Sequence, residues 1–141
     1  MSRFCLRFLA AATAILSAAC PTHADVSAGE TLTIKPSEAA CILTWTGPRG
    51  SAELSVGISS PCAFNRDQDG MIRLVGTARG RVALVESSLP DPDRAGSCIT
   101  HVRGVLVAAD GAVSLSPHIS MVAACLPFRW DEKMFIGLFE Q

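Results

Sequence analysis

Three stretches of this chain alternate apolar and polar residues on both sides of a turn signal, and each predicts an antiparallel hairpin. In the first, Cys98, Thr100, Val102, Leu106 and Ala108 occupy alternate positions, and so do Val113, Leu115, Ile119, Met121, Ala123 and Cys125. Asp110-Gly111 between them suits a two-residue type I′ turn, which needs positive φ at both central residues. That register sets Ala108 against Val113, Leu106 against Leu115 and Val102 against Ile119. A slip of one residue would oppose Leu106 to Ser114 and Val102 to His118, so turn chemistry and burial pattern select the same pairing. In the second stretch Cys41, Leu43 and Trp45 face Ala52, Leu54, Val56 and Ile58 across Gly47-Pro48-Arg49-Gly50. Pro48 suits the first central position of a type I turn, pairing Thr46 with Ser51, Leu43 with Leu54 and Cys41 with Val56. In the third, Ala78-Arg79-Gly80 fits a three-residue loop closed by a left-handed glycine, pairing Thr77 with Arg81, Gly76 with Val82 and Leu74 with Leu84.

The remaining pattern is thinner. Thr31 to Lys35 alternates threonine with Leu32 and Ile34, a short strand ended by Pro36. Met134 to Phe139 is a nearly continuous apolar run, read as a last strand covered on both faces. Pro117 to Leu126 reads as a strand, although Ser116-Pro117 would equally open a short helix. Leu89 to Ser97 and Leu126 to Lys133 are surface connections, the kind of segment that grips a partner. The fold class that follows is all-β: a small antiparallel barrel or sandwich of seven or eight strands built from consecutive hairpins.

Composition changes this picture at the N-terminus. Of the 141 residues, 1–24 read as a secretory signal peptide, with Arg3 and Arg7 as the positive region, Phe8 to Ala19 as the apolar run and Thr22-His23-Ala24 as the cleavage site. The apolar run falls short of the roughly eighteen residues of a membrane-spanning helix, so no membrane span is expected. Residues 25–30 then form a flexible leader and 31–141 a single β domain. Periplasm or secretion follows. Lipidation at Cys20 is disfavoured, because Ser17 stands where a lipoprotein signal wants a large aliphatic residue. Loss of Arg3 and Arg7 leaves ten basic and thirteen acidic groups, a net charge of about −3, and no basic footprint for nucleic acid.

Cleavage also removes Cys5 and Cys20 and leaves Cys41, Cys62, Cys98 and Cys125, an even set in a short exported chain. Two disulfides follow, with three connectivities open. The first hairpin places Cys98 diagonal to Cys125 on one face, which favours that pair and, by elimination, Cys41 with Cys62.

Candidate chemistry is sparse. Asn65-Arg66-Asp67-Gln68-Asp69-Gly70 resembles the first half of a calcium loop, with Asn65, Asp67 and Asp69 as oxygen ligands. Gly76 stands where such a loop wants its bidentate glutamate, and the competing reading is an Asx-rich turn leading into Met71. No cofactor is assigned, calcium at this loop being the open alternative. On the polar face of the first hairpin, His101, Arg103, Ser114, Ser116, His118 and Ser120 would project together, with Arg103 opposite His118 and His101 diagonal to it, so that the two histidines could share a metal or titrate as a pH-sensitive pair, although a third ligand is missing locally; the competing reading is a half-solvated sheet face. Trp130, between Arg129 and Asp131, is a candidate partner anchor, against packing in the loop or core. No nucleophile elbow, zinc-protease helix or phosphate-binding glycine loop is present, so no catalytic residue is assigned.

These features describe an exported, non-enzymatic binding protein that contacts another envelope or secreted protein through its loops. In size, export and all-β character the chain resembles the small envelope inhibitors that bacteria direct against lysozymes and other hydrolases; the resemblance covers no motif. A small-molecule or calcium-binding β protein is the alternative, and a small hydrolase the third reading. A ligand-shaped cavity would favour the carrier, and a sealed core with an exposed apolar patch the protein binder.

Overall fold

The computed structural model describes residues 24–27 and 29–140; the expected signal segment with Arg3, Arg7 and Cys20 lies outside them, except for Ala24. The smaller sheet runs in chain order through β1 (Ala24–Ser27), β2 (Glu30–Lys35), β3 (Ile42–Gly47) and β4 (Gly50–Ser55). Its register is the one the alternation predicts, with Thr46 opposite Ser51 and Leu43 opposite Leu54, and Val56 N–H donating to the Cys41 carbonyl at 2.8 Å. Leu32, Leu43 and Trp45 are buried on one face, while Glu53 and Ser55 meet water on the other. The sequence expects a flexible leader over 25–30, but 24–27 pair with β2 as Ala24 to Leu32 and Asp25 to Thr31. No apolar pattern announces this strand. It is recruited by the unpaired backbone groups along the edge of β2, which any chain can satisfy.

The larger sheet contains β5 (Ala63–Phe64), β6 (Val75–Thr77), β7 (Gly80–Pro90), β8 (Cys98–Ala108), β9 (Val113–Leu115) and β10 (Ser120–Val122). Its order is β10-β8-β7-β5, with β6 also pairing β7 and β9 also pairing β8. The eleven-residue strands β7 and β8 are its axis. Their odd-numbered residues Ala83, Val85, Val105 and Val107 pack against Leu32, Leu43, Trp45 and Val56 of the smaller sheet. Their even-numbered residues Val82, Leu84, Val102 and Leu106 pack against Trp130, Phe135 and Leu138. The protein is thus mostly β, with two open sheets and a C-terminal segment layered over a central hairpin, and neither sheet closes on itself.

Two of the three expected registers are displaced by one residue. At the first hairpin Leu106 faces Ser114 and Val107 faces Val113. The loop has three residues, with Ala108 N–H donating to the Ala112 carbonyl at 2.8 Å and Gly111 at φ 81° in the left-handed region. Asp110 Oδ1 accepts from Ala112 N–H at 3.0 Å, an Asx-type bond that favours this loop over a type I′ turn. That bond, with Arg49 beside it, holds the Asp110 carboxyl below the ordinary aspartate range. At the third hairpin Thr77 faces Gly80 and Val75 faces Val82, a two-residue loop. Thr77 Oγ1 accepts from Arg79 N–H at 3.2 Å and donates to the Gly80 carbonyl at 3.0 Å, fixing the tighter turn. Gly80 is therefore not the loop's third residue. It opens β7 at φ 142°, where a Cβ would run into the Val107 carbonyl oxygen.

The expected last strand over Met134–Phe139 is instead α1 (Glu132–Gly137). Asp131 caps it, its side chain accepting from Lys133 N–H at 2.9 Å, and Glu132 in the first turn complements the helix dipole. Helical spacing puts Phe135 and Leu138 on one face, and both are buried against β7 and β8. Both expected disulfides form, Cys41 with Cys62 and Cys98 with Cys125. No helix among the described residues is long and apolar enough to cross a membrane.

Candidate functional site

At one end of the central hairpin β7 and β8 continue as Ser87 to His101, Leu89 to Ile99 and Pro90 to Cys98, and β10 adds Met121 opposite His101. Cross-strand partners project to the same side of a sheet, so Leu89, Ile99, His101 and Met121 share the odd-numbered face. Ile119 joins them there: its Cδ1 and Arg103 Nη1 are both within 3.5 Å of the point where a Cβ on Gly57 would sit. Met121 is 69% exposed, Leu89 43% and Ile119 39%. The Cys98–Cys125 bond ties the start of β8 to the chain leaving β10. It thereby joins the ends of the two connections singled out in the sequence, Leu89 to Ser97 and Leu126 to Lys133, of which 91–97 and 126–131 lie outside strands and helix. Within the first, Asp91 Oδ1 accepts from Asp93 N–H at 3.0 Å and Asp91 N–H donates to the Ser97 carbonyl at 2.9 Å, so the loop is internally braced.

The expected His101–Arg103–His118 face is not assembled. Between Val105 opposite Leu115 and Val102 opposite Ser120 the outer strand carries two extra residues. Pro117 and His118 leave the ladder there, and His118 is exposed. Arg103 turns inward instead. Its Nε donates to the Ser116 carbonyl at 3.1 Å and its Nη1 to the Val56 carbonyl at 2.7 Å, so it clamps the two sheets together. Ser116 is buried, its Oγ accepting from Gly104 N–H at 3.0 Å and donating to the His118 carbonyl at 2.8 Å.

The three proposed calcium ligands are likewise not brought together. Asp67 Oδ1 accepts from Asp69 N–H at 3.0 Å and Met71 N–H at 2.9 Å, an exposed Asx turn. Asn65 is buried instead, with Nδ2 donating to both oxygens of Glu86 at 3.4 Å and to the Phe128 carbonyl at 3.2 Å. Among the described residues no group of three His, Cys, Asp or Glu side chains could hold a metal ion.

Trp130 is buried rather than presented to a partner, and its Nε1 donates to Glu86 Oε2 at 2.6 Å. Phe128 beside it stays exposed, the two ring centroids 4.5 Å apart. Glu86 is the residue the sequence reading missed. It follows Val82 and Leu84 on the even-numbered row, so a charged residue continuing an apolar row was the available signal. Burial pushes its carboxyl above the ordinary glutamate range, against the opposing pull of the bonds from Trp130 and Asn65.

The hollows are of two kinds. One of about 70 Å³ lies between α1 and the β6–β7 turn, below the size of a ligand pocket. Two larger ones are surface grooves: about 550 Å³ along Thr31, Thr33, Thr44 and Thr46, and about 370 Å³ between the Asp67 turn and Pro127–Arg129.

These features define a disulfide-linked, mostly β protein with an apolar ledge at the stapled end of its central hairpin. No family model matches the chain, and it matches neither a curated protein nor a solved structure.

Proposed function

We propose that this is an exported, non-enzymatic binding protein whose stapled end docks another envelope or secreted protein. The observation that carries this reading is the ledge itself: Leu89, Ile119 and Met121 stand exposed on one face of a rigid two-strand axis, around His101. Clustered exposed apolar side chains mark interaction sites more often than isolated ones, and a braced scaffold lowers the ordering cost of docking. The two disulfides fit an oxidising compartment outside the cytoplasm. The class resemblance to small envelope inhibitors fits the same role. The carrier reading has less support, because the small hollow under α1 is too tight for a ligand and the larger ones lie open at the surface.

Immobilised protein, exposed to envelope extract beside a Met121→Asp variant, tests the proposal. Wild type is expected to retain one partner in stoichiometric amount and the variant to lose it. Because Met121 is a surface residue, the variant's unfolding free energy should stay within about 0.5 kcal/mol of wild type. No stoichiometric partner, or equal retention by both proteins, would end this reading.

A further inference from the structure

β1 covers only part of the strand it pairs with. Its register sets Ala24 opposite Leu32, Asp25 opposite Thr31 and Ser27 opposite Glu30, whereas β2 continues to Lys35. With cleavage after Ala24, as the export reading has it, the chain starts at Asp25, and the strip 32–35 has no neighbour on that side among the described residues. Residues along a strand aim their backbone N–H and C=O to the two sides alternately, so at least one residue within 33–35 turns both groups away from β3. An uncovered edge of this kind is a template for another strand. The strip borders the groove of about 550 Å³, which Cys62, Ala63, Phe64 and Arg66 also line. β5, within that second segment, is itself an end strand of the larger sheet.

The groove has two chemical sides. Thr33 and Lys35 project to the solvent face of the smaller sheet with Thr44 and Thr46, while Ile34 projects to the core face, where Phe64 is buried. Lys35 and Arg66 are the charged residues lining it, both exposed, and neither makes an ion pair among the described residues. Arg66 is held in place by donation from Nη1 to the Gly70 carbonyl at 2.6 Å. Among the described side chains the carboxylate on that sheet face is Glu53, which lies on β4, away from the β2 edge, and accepts from Thr44 Oγ1 at 3.4 Å. We propose that this groove is a strand-addition site for an extended segment of a partner protein, in which two acidic residues flank a β-branched apolar one, paired antiparallel with 33–35. The carboxylates stand on the solvent face opposite Thr33 and Lys35, and the apolar residue between them turns inward beside Ile34. Backbone bonds supply the affinity, and alternate side chains the selectivity. A second copy adding its own β2 here would bring another Lys35 and Arg66 to the same groove, so charge selects a foreign acidic segment over self-pairing.

This site is separate from the docking ledge and rests on the export reading only for its uncovered strip. The test titrates the exported, disulfide-bonded, ¹⁵N-labelled protein with a blocked peptide of sequence Ser-Glu-Val-Glu-Val-Thr, its own N-terminus being fixed by intact mass. Amide shifts are expected in 31–35 and 62–66 and not at the ledge. The same peptide with lysine for glutamate should bind about tenfold more weakly, and a version N-methylated at alternate residues should not bind. Lys35→Glu, a change at an exposed position, should erase the preference for the acidic peptide. No shifts with the acidic peptide at about 1 mM overturn the proposal, as do equal binding of the lysine peptide, binding that survives N-methylation, or shifts centred on 119–121. Sedimentation showing a dimer that Lys35→Glu leaves intact and that blocks the peptide would make a second copy the occupant and overturn it too. A chain starting at Asp25 that ignores the peptide sinks this proposal alone, whereas an N-terminus upstream of Ala24 with no peptide binding sinks the cleavage reading with it.

Discussion

Replacing Phe135 by alanine is expected to lower the unfolding free energy by about 3–5 kcal/mol, the range for deleting a buried phenylalanine. Phe135 is fully buried and packs with Val82, Leu84, Val102 and Leu106 in the layer under α1. Its ring also lies 4.8 Å from the Arg73 guanidinium, whose Nη1 holds the Trp130 carbonyl. The site has little capacity to collapse onto the gap, because a hollow of about 70 Å³ already borders it. A helix of six residues has no stability of its own, so α1 stays in place through this contact and that of Leu138. Losing it uncovers the even-numbered row of β7 and β8. Total stability of a domain this size is about 5–15 kcal/mol, so the variant should show a sharply lower urea midpoint and bind hydrophobic dyes. A loss below about 1 kcal/mol would mean that the C-terminal segment is not part of the core, and the layered description would fail with it.

How much of this was legible in the sequence depended on where water sits. In β3 and β4 one face is solvated, so Thr44, Glu53 and Ser55 alternate with Leu43 and Leu54. A slip there would have buried a charge, and the predicted register is the observed one. Along β7 and β8 both faces are covered, so the same kind of reasoning lost its discriminating power. Shifting by one residue exchanges Leu106 for Val105 and Leu84 for Val85, one buried row for another, so the pairing of Leu106 with Ser114 that the pattern argued against carries no penalty. The register was decided locally instead, by the Asp110 carboxylate and the Thr77 hydroxyl bonding to their own turns. Asp131 as a cap followed by Glu132 was a readable helix signal, outweighed by an apolar run that fits either structure.

The candidate sites were less legible than the fold. Oxygen-bearing residues at alternate positions from Asn65 to Asp69 suggested a cation loop. Asn65 instead faces the core, while Asp67 and Asp69 stay at the surface. Trp130 looked like an anchor because its neighbours are charged, yet its indole is committed to Glu86 on a strand more than forty residues earlier. No local pattern encodes such a contact. The disulfide pairing survived the register error. The one-residue slip at the turn and the excursion at Pro117–His118 act in opposite directions, and together they leave Cys125 within reach of Cys98.

The second large effect concerns the two disulfides, which chain entropy alone would rank by loop length. Cys98–Cys125 closes a span of 27 residues and Cys41–Cys62 one of 21, so each is worth about 3 to 4 kcal/mol, with the longer loop slightly ahead. The folded state reverses the order. Cys41 is fully buried in the core with Leu43 and Val56, whereas Cys125 is exposed and Cys98 half-buried. Replacing Cys41 and Cys62 by alanine therefore adds a buried cavity to the lost crosslink, about 1 kcal/mol or more beyond the entropic cost. The expected result, from urea unfolding of the non-reduced proteins, is that Cys41→Ala/Cys62→Ala loses more stability than Cys98→Ala/Cys125→Ala. The latter should instead lose amide protection first in 91–97 and 120–131, the segments that bond holds beside the ledge. Equal losses, or a greater loss from the longer loop, would mean that the crosslinks act through the unfolded chain alone; unchanged amide protection in 91–97 and 120–131 would mean that the stapled end owes its order to something other than Cys98–Cys125.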